Sequence, residues 1–202
     1  MRITTMTYKP DHPSEESLLR DVAHHELTIL RDRDMDRHLR FKRPNTSNQY
    51  FDIITWRGSL CLTGDMGTFV FSRIPDMFEF FRDEHANGHL RINTGYWSEK
   101  LDAADRRTGG YEKFSPNLFR KRVMDYAKDS EANRATLKAI KDRVLPAADD
   151  GEQMAYRAAC DFTHNGFSLQ DFYEINCRDY TYHFVWCCYA IVWAIKRYDN
   201  WL

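Results

Sequence analysis

The sequence predicts an α+β protein, with an antiparallel strand meander over about residues 26–73 packed against a mostly helical C-terminal half. Three observations carry that expectation. Apolar and polar residues alternate at period two through runs such as Phe51-Asp52-Ile53-Ile54-Thr55-Trp56, separated by short turns rich in Asp and Gly. Beyond Pro75 the apolar spacing lengthens to the three and four of a helix. The run from Phe184 to Ile195 is apolar on nearly every side, as a helix enclosed by other elements must be, and is too short to span a bilayer. A chain of 202 residues, 43% hydrophobic and 29% charged, suffices for a buried core. One domain is expected, with a strand-rich subregion at about 13–105, a helical subregion at about 112–202, and the last helix folded back on the sheet.

The elements follow in order. Residues 1–11 read as an arm. Ser14 caps a first helix, with Glu15 and Glu16 in the turn where the helix dipole favours negative charge. Its stripe is Leu18, Leu19, Val22 and Ala23, and it is expected to end near His24-His25. Strands follow around Leu27–Ile29 and Leu39–Phe41, joined by a turn at Asp34-Met35-Asp36. After a loop at 44–48 come the strand 50–56, a turn at Arg57-Gly58, a short strand 59–63, a turn at Gly64-Asp65-Met66-Gly67 and a strand 68–73. Consecutive strands with short turns pair antiparallel. Helices are expected from Pro75 to Arg82, over 96–104, from Pro116 with Ser115 as cap, over 131–145 until Pro146 stops it, over 150–163, over 168–173 and over 178–200. A loop is expected at 84–88, and Gly109-Gly110 marks the best linker between halves.

Composition narrows the function classes. The net charge is −1, so neither the basic excess of a non-specific nucleic-acid binder nor the acidic excess of a DNA mimic is present. The five cysteines are odd in number and include the adjacent pair Cys187-Cys188, which does not suggest a disulfide framework; a reducing cytosol fits better. Aromatic residues reach 14%, enough to supply interface anchors as well as a core.

Five constellations can carry chemistry, each with a plain structural alternative. His24-His25 beside Glu26 invites a metal, but adjacent histidines point apart and suit a helix end. Residues 31–43 hold six Lys or Arg against three acids, a local basic ridge with Arg37, Arg40, Lys42 and Arg43 as candidate contacts to phosphate or an acidic surface; a charged, non-aggregating strand edge explains the same pattern. Trp56-Arg57 and the Gly64–Gly67 turn around Asp65 sit at hairpin tips, where turn chemistry competes with a hot-spot reading. Tyr96-Trp97-Ser98-Glu99-Lys100 offers a binding residue pair in Trp97 and Glu99. In the last helix, Asp179, His183 and Cys187 are spaced four apart, a nucleophile–base spacing inside an apolar stripe. No phosphate loop, nucleophile elbow or zinc-finger spacing occurs in the sequence. No catalytic residue, metal ligand or cofactor is therefore assigned.

The segments Phe51–Trp56, Thr63-Gly64-Asp65-Met66-Gly67-Thr68-Phe69-Val70-Phe71-Ser72-Arg73, Asp76-Met77-Phe78-Glu79-Phe80-Phe81-Arg82 and Trp186-Cys187-Cys188-Tyr189-Ala190 resemble a family of uncharacterised tailed-phage and prophage proteins. The likeness spans most of the chain. It implies an accessory factor in the host cytosol that binds a host protein or ribonucleoprotein complex, antiviral defence such as CRISPR–Cas among them, and it implies no reaction. Trp56, Arg57, Asp65, Arg73, Trp97 and Glu99 are then the candidate binding residues. Two alternatives stay open: a small hydrolase or nuclease using Asp65, Asp52 and histidines, and a structural module dimerising through the 178–200 helix. Direct nucleic-acid contact at 31–43 stays open as a less favoured reading, and membrane association is not expected.

Overall fold

The computed structural model describes residues 8–82 and 88–201. Most of the expected arm, residues 1–7, and most of the expected loop at 84–88 lie outside the described residues. Internal contacts divide the chain into two units, one formed by Asp11–Tyr111 with Tyr180–Leu202 and the other by Met1–Pro10 with Glu112–Asp179.

The first unit is built on six antiparallel strands in sequence order: β1 (Glu26–Arg33), β2 (Asp36–Lys42), β3 (Phe51–Trp56), β4 (Ser59–Gly64), β5 (Gly67–Ser72) and β6 (Leu101–Ala104). The period-two pattern sets the register, because a one-residue slip would turn every apolar side chain outward. Leu39, Ile53, Leu62 and Phe69 align in one cross-strand row, with Phe41 opposite Phe51 beside it, and all six are fully buried.

The turns follow from local sterics. Gly58 takes φ +85° in the β3–β4 turn. In the β4–β5 turn Asp65 and Met66 keep negative φ, so the residues beside them absorb the twist, and Gly67 adopts φ +109°. A Cβ on Gly64 would stand 2.2 Å from the carbonyl oxygen of Tyr50. This double-glycine motif is a packing requirement of the hairpin.

Helices cover one face of the sheet. They are α1 (Glu15–Asp21), α2 (Met77–Phe81), α3 (Thr94–Ser98) and the long helix of residues Tyr182–Asp199, which is α7 once the second unit's helices are numbered. Ser14 and Ser17 cap α1 reciprocally, and Thr181 caps α7 through the Phe184 N–H. On α7, Trp186 and Trp193 are two turns apart and meet Phe51 edge-on at 5.7 and 6.3 Å, with Phe41 5.3 Å from Trp193. From the other side Asp21 of α1 accepts the Trp186 indole N–H at 2.9 Å, and Phe78 of α2 packs on Tyr198. The expected return of the last helix to the sheet is therefore observed. Between Phe184 and Ile195 every residue but Tyr189 is buried. The apolar stripe of this helix is covered within its own unit, and its exposed residues are Lys196, Arg197, Asp199 and Asn200.

Three expectations about the elements of the sheet and its flanking helices need correction. The first helix ends at Asp21 and leaves His24 and His25 beyond it. The helix expected over 96–104 stops at Ser98, and residues 101–104 form β6. Leu-Asp-Ala-Ala has little strand propensity, and pairing with β5 decides its state. The 178–200 helix begins only at Tyr182, after a short strand, Arg178–Tyr180.

In the second unit the strand β7 (Glu112–Phe114) leads to α4 (Pro116–Asp129), capped by Ser115 as expected. Then come α5 (Arg134–Arg143), a 3₁₀ turn containing Pro146, α6 (Glu152–Cys160), the hairpin β8 (Thr163–His164) and β9 (Phe167–Ser168), and β10 (Arg178–Tyr180). The hairpin and a 3₁₀ turn replace the helix expected over 168–173. Asn165-Gly166 takes positive φ at both positions and closes a two-residue turn. Phe119, Val123, Ile140 and Phe172 centre this unit's core, and the Tyr156 hydroxyl donates to the Ile175 carbonyl at 2.6 Å. The buried apolar residues form two clusters, and α7 belongs with the sheet. The sequence-level subregion 112–202 therefore mixes residues of both clusters.

Candidate binding surface on the open face of the sheet

Alternation leaves the second face of the sheet to Thr28, His38, Arg40, Lys42, Asp52, Ile54, Trp56 and their row partners. Ile54, Cys61 and Val70 line up across β3, β4 and β5. They are half-buried and belong to neither core cluster. Trp56 stands beside this strip at 44% exposure. Hydroxyl pairs complete the rows: Thr63 with Thr68 at 2.8 Å, Ser59 with Ser72 at 3.0 Å, and Ser72 donating onward to Asp102.

One charged cluster lies on this face. Asp52 is only 5% exposed. Arg40 grips it with two parallel bonds of 2.8 and 2.9 Å, and His38 Nε2 lies 2.8 Å from its second oxygen. Burial pushes the carboxyl up, but the bonds from Arg40 and His38 outweigh it and hold the group below its ordinary value. Cys61 is diagonal to Asp52; burial, then the Asp52 charge, raises its thiol and keeps it protonated.

The basic ridge is not a free one. Arg31 is paired to Asp36. Arg37 points to the core side, where it bridges bidentately to Asp76 at 2.9 Å and lies 4.6 Å from the centre of the Phe78 ring. Asp76, pushed up by burial, is pulled below its usual value mainly by Arg37. Arg40 is held by Asp52. Lys42 and Arg43 remain exposed, with Lys42 opposite Glu26. The candidates Arg37 and Arg40 are thus structural clamps, because buried carboxylates must be paired.

The hairpin candidates separate by end of the sheet. Successive turns of a meander alternate ends, so Trp56, Arg57 and Arg73 gather at one end. There Gly58 N–H donates to Pro75 O and Arg73 N–H to Gly58 O. Glu99 lies at the same end, since Ser72 N–H bonds the carbonyl of Lys100. Trp97 is 6% exposed and packs on Phe81, so it is a core residue and not a contact. Asp65 is at the opposite end, where it accepts the Gln49 N–H at 2.8 Å and lines a polar cleft of ≈ 390 Å³ with Tyr50, Thr63, Asp105 and Arg107. Arg43 borders a second cleft at that end with Asp21, His25, Asn45 and Asn48.

The remaining acid, thiol and histidine candidates are each bonded or buried. Asp105 accepts two bonds from the Arg107 guanidinium and one from its backbone N–H, which hold its carboxyl below the ordinary value. Cys187 is wholly enclosed, and burial raises its thiol far above the usual range. His25 is buried against Phe51 with Nε2 on the Gln49 carbonyl. Among the described residues no three His, Cys, Asp or Glu are arranged to hold a metal ion, and no helix is long and apolar enough to cross a membrane.

Period two already put His38 and Arg40 on one strand face; that Asp52 faces them depended on a register across the 43–50 loop, which spacing does not give. Comparison with protein-family models, curated proteins and solved structures finds no match.

Proposed function

We propose that this chain is a binding protein that works by occluding a surface of a host protein complex, with the Trp56 end of the sheet as its contact. One observation carries the reading: an exposed tryptophan on a paired strand shares an end of the sheet with two exposed arginines, Arg57 and Arg73, whose guanidinium groups have no ion pair among the described residues. Rigid aromatic and arginine groups dominate interface energetics because little conformational freedom is lost on binding. The paired carboxylates and protonated thiols favour binding over catalysis. The phage-family resemblance suggests a defence complex such as CRISPR–Cas as the partner, in the host cytosol.

The test is expression of the chain in cells whose CRISPR–Cas system restricts a phage, with plaquing efficiency read alongside affinity capture. Restored plaquing and a stoichiometric partner are expected, both lost in Trp56→Ala/Arg57→Glu. Unchanged restriction across several system types, together with no stoichiometric partner, would refute the proposal.

A further inference from the structure

We infer that the cleft between the end of α1 and the β2–β3 loop binds a free α-amino acid, its carboxylate on Arg43 and its ammonium between Asp21 and His25. The inference is independent of the host-binding reading, since this cleft lies at the opposite end of the sheet from Trp56.

Two chain segments of opposite polarity line the cleft, whose volume is ≈ 450 Å³. Asp21, the last residue of α1, and His25, just before β1, supply acceptors. Arg43, Asn45 and Asn48 of the β2–β3 loop supply N–H donors. The Asp21 carboxylate gives one oxygen to the Trp186 indole N–H and has no described bond on the other. The Arg43 guanidinium is exposed, and neither it nor the side-chain amides of Asn45 and Asn48 have a partner among the described residues. Asp21 and Arg43 act on the His25 ring with opposite sign, yet they are not bonded to each other. An ammonium and a carboxylate on one small molecule complement both walls at once.

His25 is the observation that points to a ligand. It is 5% exposed, and its ring lines the cleft. Nε2 lies 3.0 Å from the Gln49 carbonyl oxygen, which only accepts, so Nε2 carries the proton. Burial keeps the ring neutral, and Nδ1 is then an acceptor. That atom is buried with no hydrogen-bond partner among the described residues. A buried acceptor left unpaired is destabilising. An ammonium supplies the donor that Nδ1 lacks, while Asp21 balances its charge. A simple anion satisfies Arg43 and leaves Nδ1 as it was. The loop is held in place without a ligand, since Asp65 accepts the Gln49 N–H at 2.8 Å and the Thr46 hydroxyl oxygen accepts the Asn48 N–H at 3.1 Å.

The experiment titrates the full chain at neutral pH with each protein amino acid, and with acetate and ethylamine as probes that carry one charge each. The readout is the Trp186 indole N–H resonance, assigned with Trp186→Phe, because that proton is bonded to Asp21. At least one amino acid should shift it saturably, with a dissociation constant of about 1 mM or below. Acetate and ethylamine should bind about tenfold more weakly. Arg43→Gln and Asp21→Asn should each weaken amino-acid binding about tenfold at an unchanged melting temperature. Arg43 makes no described structural bond, and Asp21→Asn keeps an oxygen for the indole. Trp56→Ala should bind the amino acid as the parent chain does. No saturable shift with any amino acid up to about 10 mM overturns the inference. So does equal binding of acetate, which marks a plain anion site, and so does binding that survives both substitutions.

Discussion

The backbone N–H of Thr181 donates to the carbonyl of Tyr111 at 2.9 Å, and its hydroxyl donates to the carbonyl of Gly110 at 2.8 Å. The residues where the chain leaves the sheet unit and where it re-enters are therefore hydrogen-bonded neighbours. A segment joined through adjacent ends is an insertion in a continuous fold.

Replacing residues 112–179 by a short Gly-Ser linker should thus leave the sheet unit folded. Near-ultraviolet circular dichroism from Trp186 and Trp193 and a cooperative melt are the readouts. A molten spectrum from the shortened chain would show that the sheet depends on the inserted residues.

Gly64→Ala should cost roughly 3 kcal/mol or more, because its Cβ would meet the Tyr50 carbonyl oxygen at 2.2 Å and the Phe51 Cα at 2.7 Å, both unyielding backbone atoms. Gly58→Ala has open space around it and only the φ +85° penalty, about 1–2 kcal/mol. Urea unfolding of both variants checks the order, and equal losses would contradict the packing account of the Gly64–Gly67 turn.

Arg40→Ala should destabilise by about 3 kcal/mol, since it leaves a nearly buried carboxylate with His38 alone. Asp52→Ala should cost less, about 1 kcal/mol, because the guanidinium it releases is already 43% exposed. The double variant should be no worse than Arg40→Ala. The opposite ordering would return Arg40 to the list of free surface cations.

His25 sets a pH dependence. Burial lowers its pKa, with the Gln49 carbonyl and Asp21 pulling back only in part. Below the ordinary value of about 6.5 the unfolded chain takes up a proton that the folded chain refuses, so this contribution to stability is present above that pH and is lost as pH falls. Its slope is at most about 1.4 kcal/mol per pH unit. Urea midpoints at pH 7.0 and 5.5 should differ more in the native chain than in His25→Gln. Identical differences would remove His25 as the cause.

The sequence made the meander legible because alternation and turn residues agree over β2 to β5. It made α7 legible because Phe184–Ile195 is apolar all round. It hid β6, whose Ala103 and Ala104 carry no pattern, and the β8–β9 hairpin, too short for periodicity to speak. The candidate surface was half-readable. Trp56, Arg57 and Arg73 share an end, as alternation of turns requires. Arg37 and Arg40 looked like free cations because ion-pair partners such as Asp76 lie far away in sequence. Trp97 looked like a contact because a single aromatic on a short helix carries no sign of which way it faces.

The enclosure of α7 by the sheet and by α1 and α2 also has a consequence for biosynthesis. The ribosome finishes β1 to β5 long before it reaches Tyr182, and it makes the whole insert in between. At about 5–20 residues per second the Phe-lined underside of the nascent sheet waits on the order of ten seconds for its cover. During that interval a chaperone or the tunnel exit must shield the rows that Trp186 and Trp193 later close, and translation speed through the insert governs how much chain reaches the native state.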